Sequence, residues 1–231
     1  MEKLTILYED NQIIVVIKPQ NVPTMSDESK DEDMLSIVKS YVKEKYEKPG
    51  EAFIGLVHRL DRPTGGIMVF ARTSKAAKRL SEQFQTHSVE KVYYAIVNGV
   101  PKEKTKKLVN YLKKDEKENI VKLAPMSEKD TKKAELVYSV LEDNGKESLV
   151  EIKILTGRSH QIRVQMANIG HSLVGDVKYG KETGRTSNLG LWAGKLSFDH
   201  PVTKERLVFI ACPDENEKPW NKFLMGKYIK R

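Results

Sequence analysis

Cysteine is almost missing from this chain. Cys212 stands alone, so no internal disulfide, cysteine metal cluster or paired-cysteine redox centre can form. Its place beside Pro213 at the end of an apolar run predicts a buried structural thiol. Long apolar runs are missing too: the longest obvious one, Ile13–Ile17, falls far short of the roughly 20 residues that span a bilayer. Glu2 and Lys3 lead directly into a strand-like segment, which is no secretory leader, and a cytoplasmic protein is expected. No G-x-x-x-x-G-K-[ST] loop offers a nucleotide phosphate site, and no G-x-S-x-G elbow offers a serine nucleophile. His58, His87, His160, His171 and His200 are dispersed without zinc-ligand spacing, so no metal is expected.

What is present is a chain of 231 residues, 39% hydrophobic and 31% charged, long enough for one large domain or two small ones. Its net charge of +8 favours a polyanionic partner, with nucleic acid ahead of an acidic membrane surface. Residues Lys102–Lys133 hold eleven lysines against six acids, a segment that reads either as solvated strands or as a loose phosphate-holding face.

The pattern predicts short strands at Leu4–Tyr8 and Ile13–Ile17, then a polar, mobile loop over Ser26–Asp33. A helix follows, with Met34, Leu35, Val38, Tyr41 and Val42 on one face and its end near Pro49-Gly50. Further strands are expected at Ile67–Ala71, Lys91–Gly99, Ala134–Leu141 and Leu149–Leu155. A helix capped by Thr73 or Ser74 lies among them, and a second one starts at Ser159 as N-cap and stops at Gly170. A hairpin turns at Asp199–Thr203, and a terminal helix packs Trp220, Phe223 and Leu224 on the body. Strands interleaved with helices make an α/β or α+β architecture.

Two stretches stand out against this background. The first, Gly55–Gly66, contains His58-Arg59-Leu60-Asp61-Arg62-Pro63-Thr64 and ends in Gly65-Gly66. Proline and glycines suit a loop that holds Asp61 between two arginines. The second, Thr156–Gly170, places His160 and Arg163 three apart on one helical face, able to converge on one point. An arginine beside a carboxylate favours its ionised form, which suits a nucleophile or electrostatic stabiliser better than a general acid. A glycosidase would need a second acid, and neither stretch supplies one; Asp176 is the nearest candidate and reads as structural. The chemistry therefore suits a leaving group that needs little protonation and need not depart.

These residues carry a resemblance. His58-Arg59-Leu60-Asp61 with Thr64-Gly65-Gly66 is similar to the signature loop of the RluA-type pseudouridine synthases. Lys91-Val92-Tyr93-Tyr94-Ala95 resembles that family's K-x-Y-x-A strand, and Thr156–Arg163 its T-G-R-x-H-Q-[IL]-R helix start. Gly175-Asp176 with Tyr179-Gly180 resembles its G-D-x-x-Y-G loop, and Leu196–Pro201 its L-x-F-x-H-P hairpin. Tyr8-Glu9-Asp10 through Lys18-Pro19 fits the usual start of the catalytic domain. The resemblance spans about residues 4–212.

It implies an α+β fold with a mixed, largely antiparallel central sheet, flanking helices and an RNA-binding cleft. A single catalytic domain over residues 1–231 is expected, without the S4-type RNA-binding domain of many relatives. It implies isomerisation of uridine to pseudouridine in ribosomal or transfer RNA, without cofactor or metal. Asp61 would be the catalytic aspartate, as nucleophile at the sugar or as initial base. Arg163 would pair with it, and Tyr93 would stack on the uracil and help remove its C5 proton. Arg59 would fill the space of the flipped base. His58, Arg62, Thr64, Lys91, Arg158, His160 and Gln161 would join the RNA contacts. No obligatory protein partner is implied, and a monomer is expected. Gly65 replaces the family's usual serine, Gln165 a common histidine and Ser172 a common proline. The first of these removes a hydroxyl that would brace the loop, which makes the positioning of Asp61 less secure. Two rival readings are a catalytically silent RNA-binding or ribosome-assembly protein and a hydrolase of free nucleosides, which would not need the basic surface.

Overall fold

The computed structural model describes residues 4–47, 50–180 and 187–229. Along the chain run β1 (Ile6–Glu9), β2 (Ile13–Lys18), α1 (Met34–Lys45), β3 (Gly55–Leu56), β4 (Gly65–Ala71) and α2 (Ser74–Gln85). They are followed by β5 (Glu90–Asn98), β6 (Thr105–Asp115), β7 (Ile120–Leu123), β8 (Lys132–Asp143) and β9 (Glu147–Ile154). Helix α3 (Gln161–Asn168) precedes β10 (Leu191–Asp199) and β11 (Arg206–Ile210). Every strand pairing described within a unit below is antiparallel, which makes the fold α+β.

Residues up to Glu90 form one compact unit with Lys195–Ala211. Strand β2 is almost wholly β-branched and buried, and it pairs with β1 on one side and β4 on the other. Ile13 and Val15 of β2 face Ala71 and Val69 of β4, and the same core takes in Leu80 of α2 and Phe198 of β10. Thr73 caps α2, accepting the Ala76 N–H at 3.1 Å. Asp33 caps α1 in the same way through Ser36, and Met34, Val38 and Val42 form the buried stripe at helical spacing. Helix α1 stops at Lys45, short of the Pro49-Gly50 end read from the pattern; Pro49 itself lies outside the described residues, as do Glu2 and Lys3.

The stretch expected to be all loop is strand at both ends. Gly55 belongs to β3, where an added Cβ would meet Ala77 Cβ at 2.8 Å, so a side chain there would push α2 off the sheet. Gly65 and Gly66 open β4, Gly66 pairing with Lys18. Ser26–Asp33 is a loop, as expected, and carries exposed hydrogen bonds: Asp27 accepts the Ser29 N–H and hydroxyl, and Arg62 donates to Ser29 at 2.9 Å and to Asp31.

Two polar knots close this unit. Glu9 accepts from Tyr41 (3.0 Å), Lys45 (2.7 Å), Tyr46 (2.8 Å) and Arg72 (3.1 Å). Burial alone would raise its pKa, but the bonds from Lys45, Tyr46 and Tyr41 hold it below the usual carboxylate range. Asp10 accepts the N–H groups of Gln12 and Ile13 and the Tyr8 hydroxyl, and lies 2.9 Å from His200 Nε2. His200 Nδ1 accepts from the Val202 and Thr203 N–H groups, so its proton sits on Nε2 and points at Asp10. The Tyr8-Glu9-Asp10 and His200-Pro201 motifs thus build turns rather than chemistry.

The second unit comprises Lys91–Gly194 and the chain from Cys212 on. Its strands lie in the order β5-β9-β8-β6-β7. Ala95, Ile152, Leu136 and Leu108 share one face and pack with Ile162 and Met166 of α3. On the lysine-rich strands, Lys107 and Lys133 both reach Glu135, at 3.3 and 3.0 Å. Lys104, Lys106, Lys113, Lys114 and Lys122 each lie within ion-pair distance of an acid as well. Much of this segment's positive charge is therefore matched locally.

Three expectations change here. Helix α3 begins at Gln161, with left-handed His160 (φ 51°) in the cap position and no cap from Ser159. The Gln161 side chain makes the turn instead, its oxygen accepting the Thr156 hydroxyl and the Arg158 N–H. The chain end forms two 3₁₀ turns, Trp220–Lys222 and Met225–Lys227, rather than a helix. Trp220 and Phe223 are buried, while Leu224, in the link between the two turns, is 70% exposed. Cys212 follows the end of β11 and is exposed rather than buried.

Candidate active site

Between β3 and β4 the chain alternates in exposure: Arg59 is exposed, Leu60 buried, Asp61 half-buried, Arg62 exposed and Thr64 buried. Leu60 thus anchors a segment that turns Arg59 outward and leaves Asp61 accessible. His58 anchors it again. Its ring stacks on Phe84 at 4.6 Å, and Nε2 accepts the Val69 N–H at 3.0 Å, which requires an unprotonated Nε2. The Thr64 N–H donates to the Asp61 carbonyl at 2.9 Å and closes the turn.

The segment following β2 holds this loop from beneath. Lys18 is fully buried, and its ammonium donates to the carbonyls of Pro19 (3.0 Å), Val22 (2.6 Å) and Arg62 (3.0 Å), one for each of its protons. The Asn21 N–H also reaches the Arg62 carbonyl (2.8 Å), and Gln20 Nε2 reaches the Pro63 carbonyl (3.0 Å). Arg62 returns a bond from Nε to the Asn21 carbonyl, while its other nitrogens meet Asp27, Ser29 and Asp31. Lys18-Pro19 closes an apolar run and fits the family's domain start, but its buried position holding the Asp61 loop was not expected. A lysine ending the apolar run of β2 is the signal that could have shown it.

Burial pushes the Lys18 pKa down to about 7, with the Asp61 carboxylate pulling it back up and Arg62 pushing it further down. Below about pH 7 the group is protonated whether the chain is folded or not, and stability has no slope from it. Between about 7 and the ordinary value of 10.5 the unfolded chain holds the extra proton, so stability rises with pH. In urea unfolding, wild type should therefore gain on Lys18→Met as pH rises through that window. A stability gap that does not change with pH would contradict this assignment.

In the second unit Tyr93 is half-buried on β5, opposite Ile152 and packed against the α3 core. Lys91, two residues before it, is also half-buried, and burial lowers its pKa. The Thr156–Gly157 turn comes close to it: a Cβ on Gly157 would lie 3.5 Å from Lys91 Nζ. Arg163 donates from Nε and Nη2 to the two oxygens of Asp176, at 2.8 and 2.7 Å, a buried bidentate pair. Its guanidinium lies 5.1 Å from the Tyr179 ring centroid, and His160 Nδ1 lies 2.7 Å from the Tyr179 hydroxyl. His160 and Arg163 thus converge as their spacing predicts, and the meeting point is Tyr179. Asp176 also accepts the N–H groups of Lys178 and Tyr179, in the structural role expected of it. Arg158 Nε donates to the Lys133 carbonyl at 2.9 Å, and buried Gln161 donates to the Glu135 carbonyl at 2.9 Å. Gln165 donates to Asn110 at 2.7 Å from the position where a histidine is common.

The sequence model of the family described as RNA pseudouridylate synthase matches residues 12–168, which include Asp61, Tyr93 and Arg163. The chain belongs to the RNA pseudouridylate synthase family. It is an enzyme of the isomerase class, and the RluA-type resemblance read from its motifs is borne out.

Two relatives and one solved structure give the extent of the likeness. The ribosomal large subunit pseudouridine synthase D of Zymomonas mobilis is 32% identical over 233 residues, covering 96% of this chain and 73% of that protein. The tRNA pseudouridine synthase C of Vibrio parahaemolyticus is 31% identical over 235 residues, covering 92% of each chain. The structure titled human RNA pseudouridylate synthase domain containing 4 superposes with a TM-score of 0.79 at 24% identity, over 91% of this chain and 89% of that one. That likeness shows the shared α+β fold. Among the described residues no group of His, Cys, Asp and Glu is placed to hold a metal ion, and no helix is long and apolar enough to cross a membrane.

Proposed function

We propose that this protein converts particular uridines of ribosomal or transfer RNA to pseudouridine, with Asp61 as the catalytic carboxylate and no cofactor. The observation that carries the reading is the Asp61 loop: a half-buried carboxylate between two exposed arginines, its backbone tied down on both sides and a buried ammonium nearby. The named relatives act on ribosomal and on transfer RNA, which supports both as substrate classes.

In this reaction the C1′–N1 bond breaks, the uracil turns in place, C1′–C5 forms, and the C5 proton is lost as N1 gains one. The base never departs, so no second acid is needed for a leaving group. Tyr93 is the group against the uracil, and Arg163 the counter-charge of Asp61; all three serve one reaction of one catalytic domain. Arg59, exposed and unbranched, takes the place of the extruded base, whose unstacking costs a few kcal/mol. Arg62, Lys91, Arg158 and His160 add contacts to the RNA, and the Lys102–Lys133 segment adds loose attraction to phosphates. His58, Thr64 and Gln161 support these residues from within, since the ring of His58 braces β4 and the other two side chains are buried. The enzyme works as a cytoplasmic monomer, without an obligatory protein partner. Tritium release from RNA labelled at uridine C5, without free uracil, tests the reading; RNA that keeps its label would overturn it.

A further inference from the structure

The Asp61 loop is held on its N-terminal side by a residue outside every recognised motif. Thr24 lies in irregular chain between β2 and α1 and is 5% exposed. Its hydroxyl donates to the Leu60 carbonyl at 2.8 Å and accepts the Leu60 N–H at 3.3 Å. One side chain thus satisfies both backbone groups of the residue before Asp61, as a neighbouring strand would. The Leu60 carbonyl belongs to the peptide plane that runs directly into the Asp61 Cα, so a turn of that plane would swing the carboxylate.

Thr24 is itself anchored on a rigid element. The Pro23 and Thr24 carbonyls accept the N–H groups of Met34 and Leu35, at 2.9 and 3.2 Å, two first-turn donors of α1. The far side of the loop is held separately, through the Arg62 and Pro63 carbonyls. Losing Thr24's hydroxyl would therefore loosen the loop on the Leu60 side and leave its other end fixed, a change of direction rather than a collapse.

We propose that the Thr24 hydroxyl is a positioning residue for Asp61, fixing the Leu60–Asp61 peptide plane and with it the direction of the carboxylate. The proposal rests on Asp61 being the catalytic carboxylate. Thr24→Val keeps the shape and removes the hydroxyl, whereas Thr24→Ser keeps the hydroxyl. On C5-tritiated RNA, Thr24→Val should lower kcat by about 10- to 100-fold, the scale of a misplaced reacting group, with KM within about twofold of wild type. Thr24→Ser should restore kcat to within about threefold. A merely stabilising role would move the unfolding midpoint and leave this split and its rescue absent.

Thr24→Val at wild-type kcat, or a serine variant as slow as the valine one, would overturn the proposal while Asp61→Asn remains inactive. Wild-type protein that releases no tritium would instead overturn the pseudouridine reading, and this proposal with it. Should Thr24→Val not fold, Thr24→Cys retains the volume with a weaker hydrogen bond; its kcat should fall below that of Thr24→Ser, and equality with wild type would overturn the proposal.

Discussion

Asp61→Asn should reduce pseudouridine formation by at least about 10⁴-fold, the scale seen when a group that reacts directly is lost. The amide has nearly the same shape, and its side-chain oxygen still accepts hydrogen bonds. What it lacks is the charge and the nucleophilic oxygen that the sugar or its proton must meet. The surroundings support a change confined to chemistry. The loop's backbone is fixed through Leu60, Arg62 and Pro63, none of which uses the Asp61 side chain. RNA affinity, measured by filter binding, should fall little, because Arg59 and Arg62 remain. Activity near the wild-type level would remove Asp61 from the mechanism, and a large loss of RNA affinity would recast it as a binding residue.

Arg163→Met should produce the largest loss of stability, about 3–5 kcal/mol by urea unfolding, because it strands a buried charge. The Asp176 side chain is 0% exposed, and the Arg163 side chain 5%. Removing the arginine leaves the carboxylate in a buried place, where the Lys178 and Tyr179 N–H groups compensate it in part. Adding Asp176→Asn should recover part of the loss, since the neutral amide needs no counter-charge, and the cycle measures the coupling directly. A single variant within about 1 kcal/mol of wild type would mean the pair contributes little to the fold. Arg163→Met should also be inactive, as the proposed counter-charge of Asp61 is gone.

The frame of this enzyme was legible because its central strands are short, unbroken apolar runs. Ile13–Ile17 and Ile67–Ala71 are buried on both faces and read as strands, within the observed Ile13–Lys18 and Gly65–Ala71. Local signals also held where the chain supplies its own partner: Thr73 caps the residue three positions on, and Gly170 follows α3 with φ of 86°. Legibility failed where a side chain reaches a distant backbone. Thr24 and Leu60 are 36 residues apart, and Lys18 and Arg62 are 44 apart. A bond to a carbonyl leaves no complementary residue in the sequence, so neither brace has a pattern to find.

The misread ends have the same origin. Ser159 was a sound cap by residue type, but the Gln161 amide satisfied the turn first. Leu224 fits an apolar helical stripe, but the chain is extended at Phe223 between two 3₁₀ turns, and Leu224 is exposed. The lysine-rich segment shows a different limit. Composition counts its charges, whereas its effect on a partner depends on acids brought close by strand register, as Glu135 is to Lys107 and Lys133. In the site itself, the ordered motifs singled out Asp61, Tyr93, Arg163, Asp176 and Tyr179, while the contacts of Arg163 with Asp176 and of His160 with Tyr179 emerged from the fold.

The central claim is that Asp61 drives a rearrangement in which the base stays with its RNA. Incubating wild-type protein with ribosomal and transfer RNA tritiated at uridine C5, then counting released tritium and separating the nucleosides, tests this most directly. Tritium released in step with pseudouridine formed, with intact strands and no free uracil, is the predicted result. Free uracil, or label fully retained by both RNAs, would contradict it.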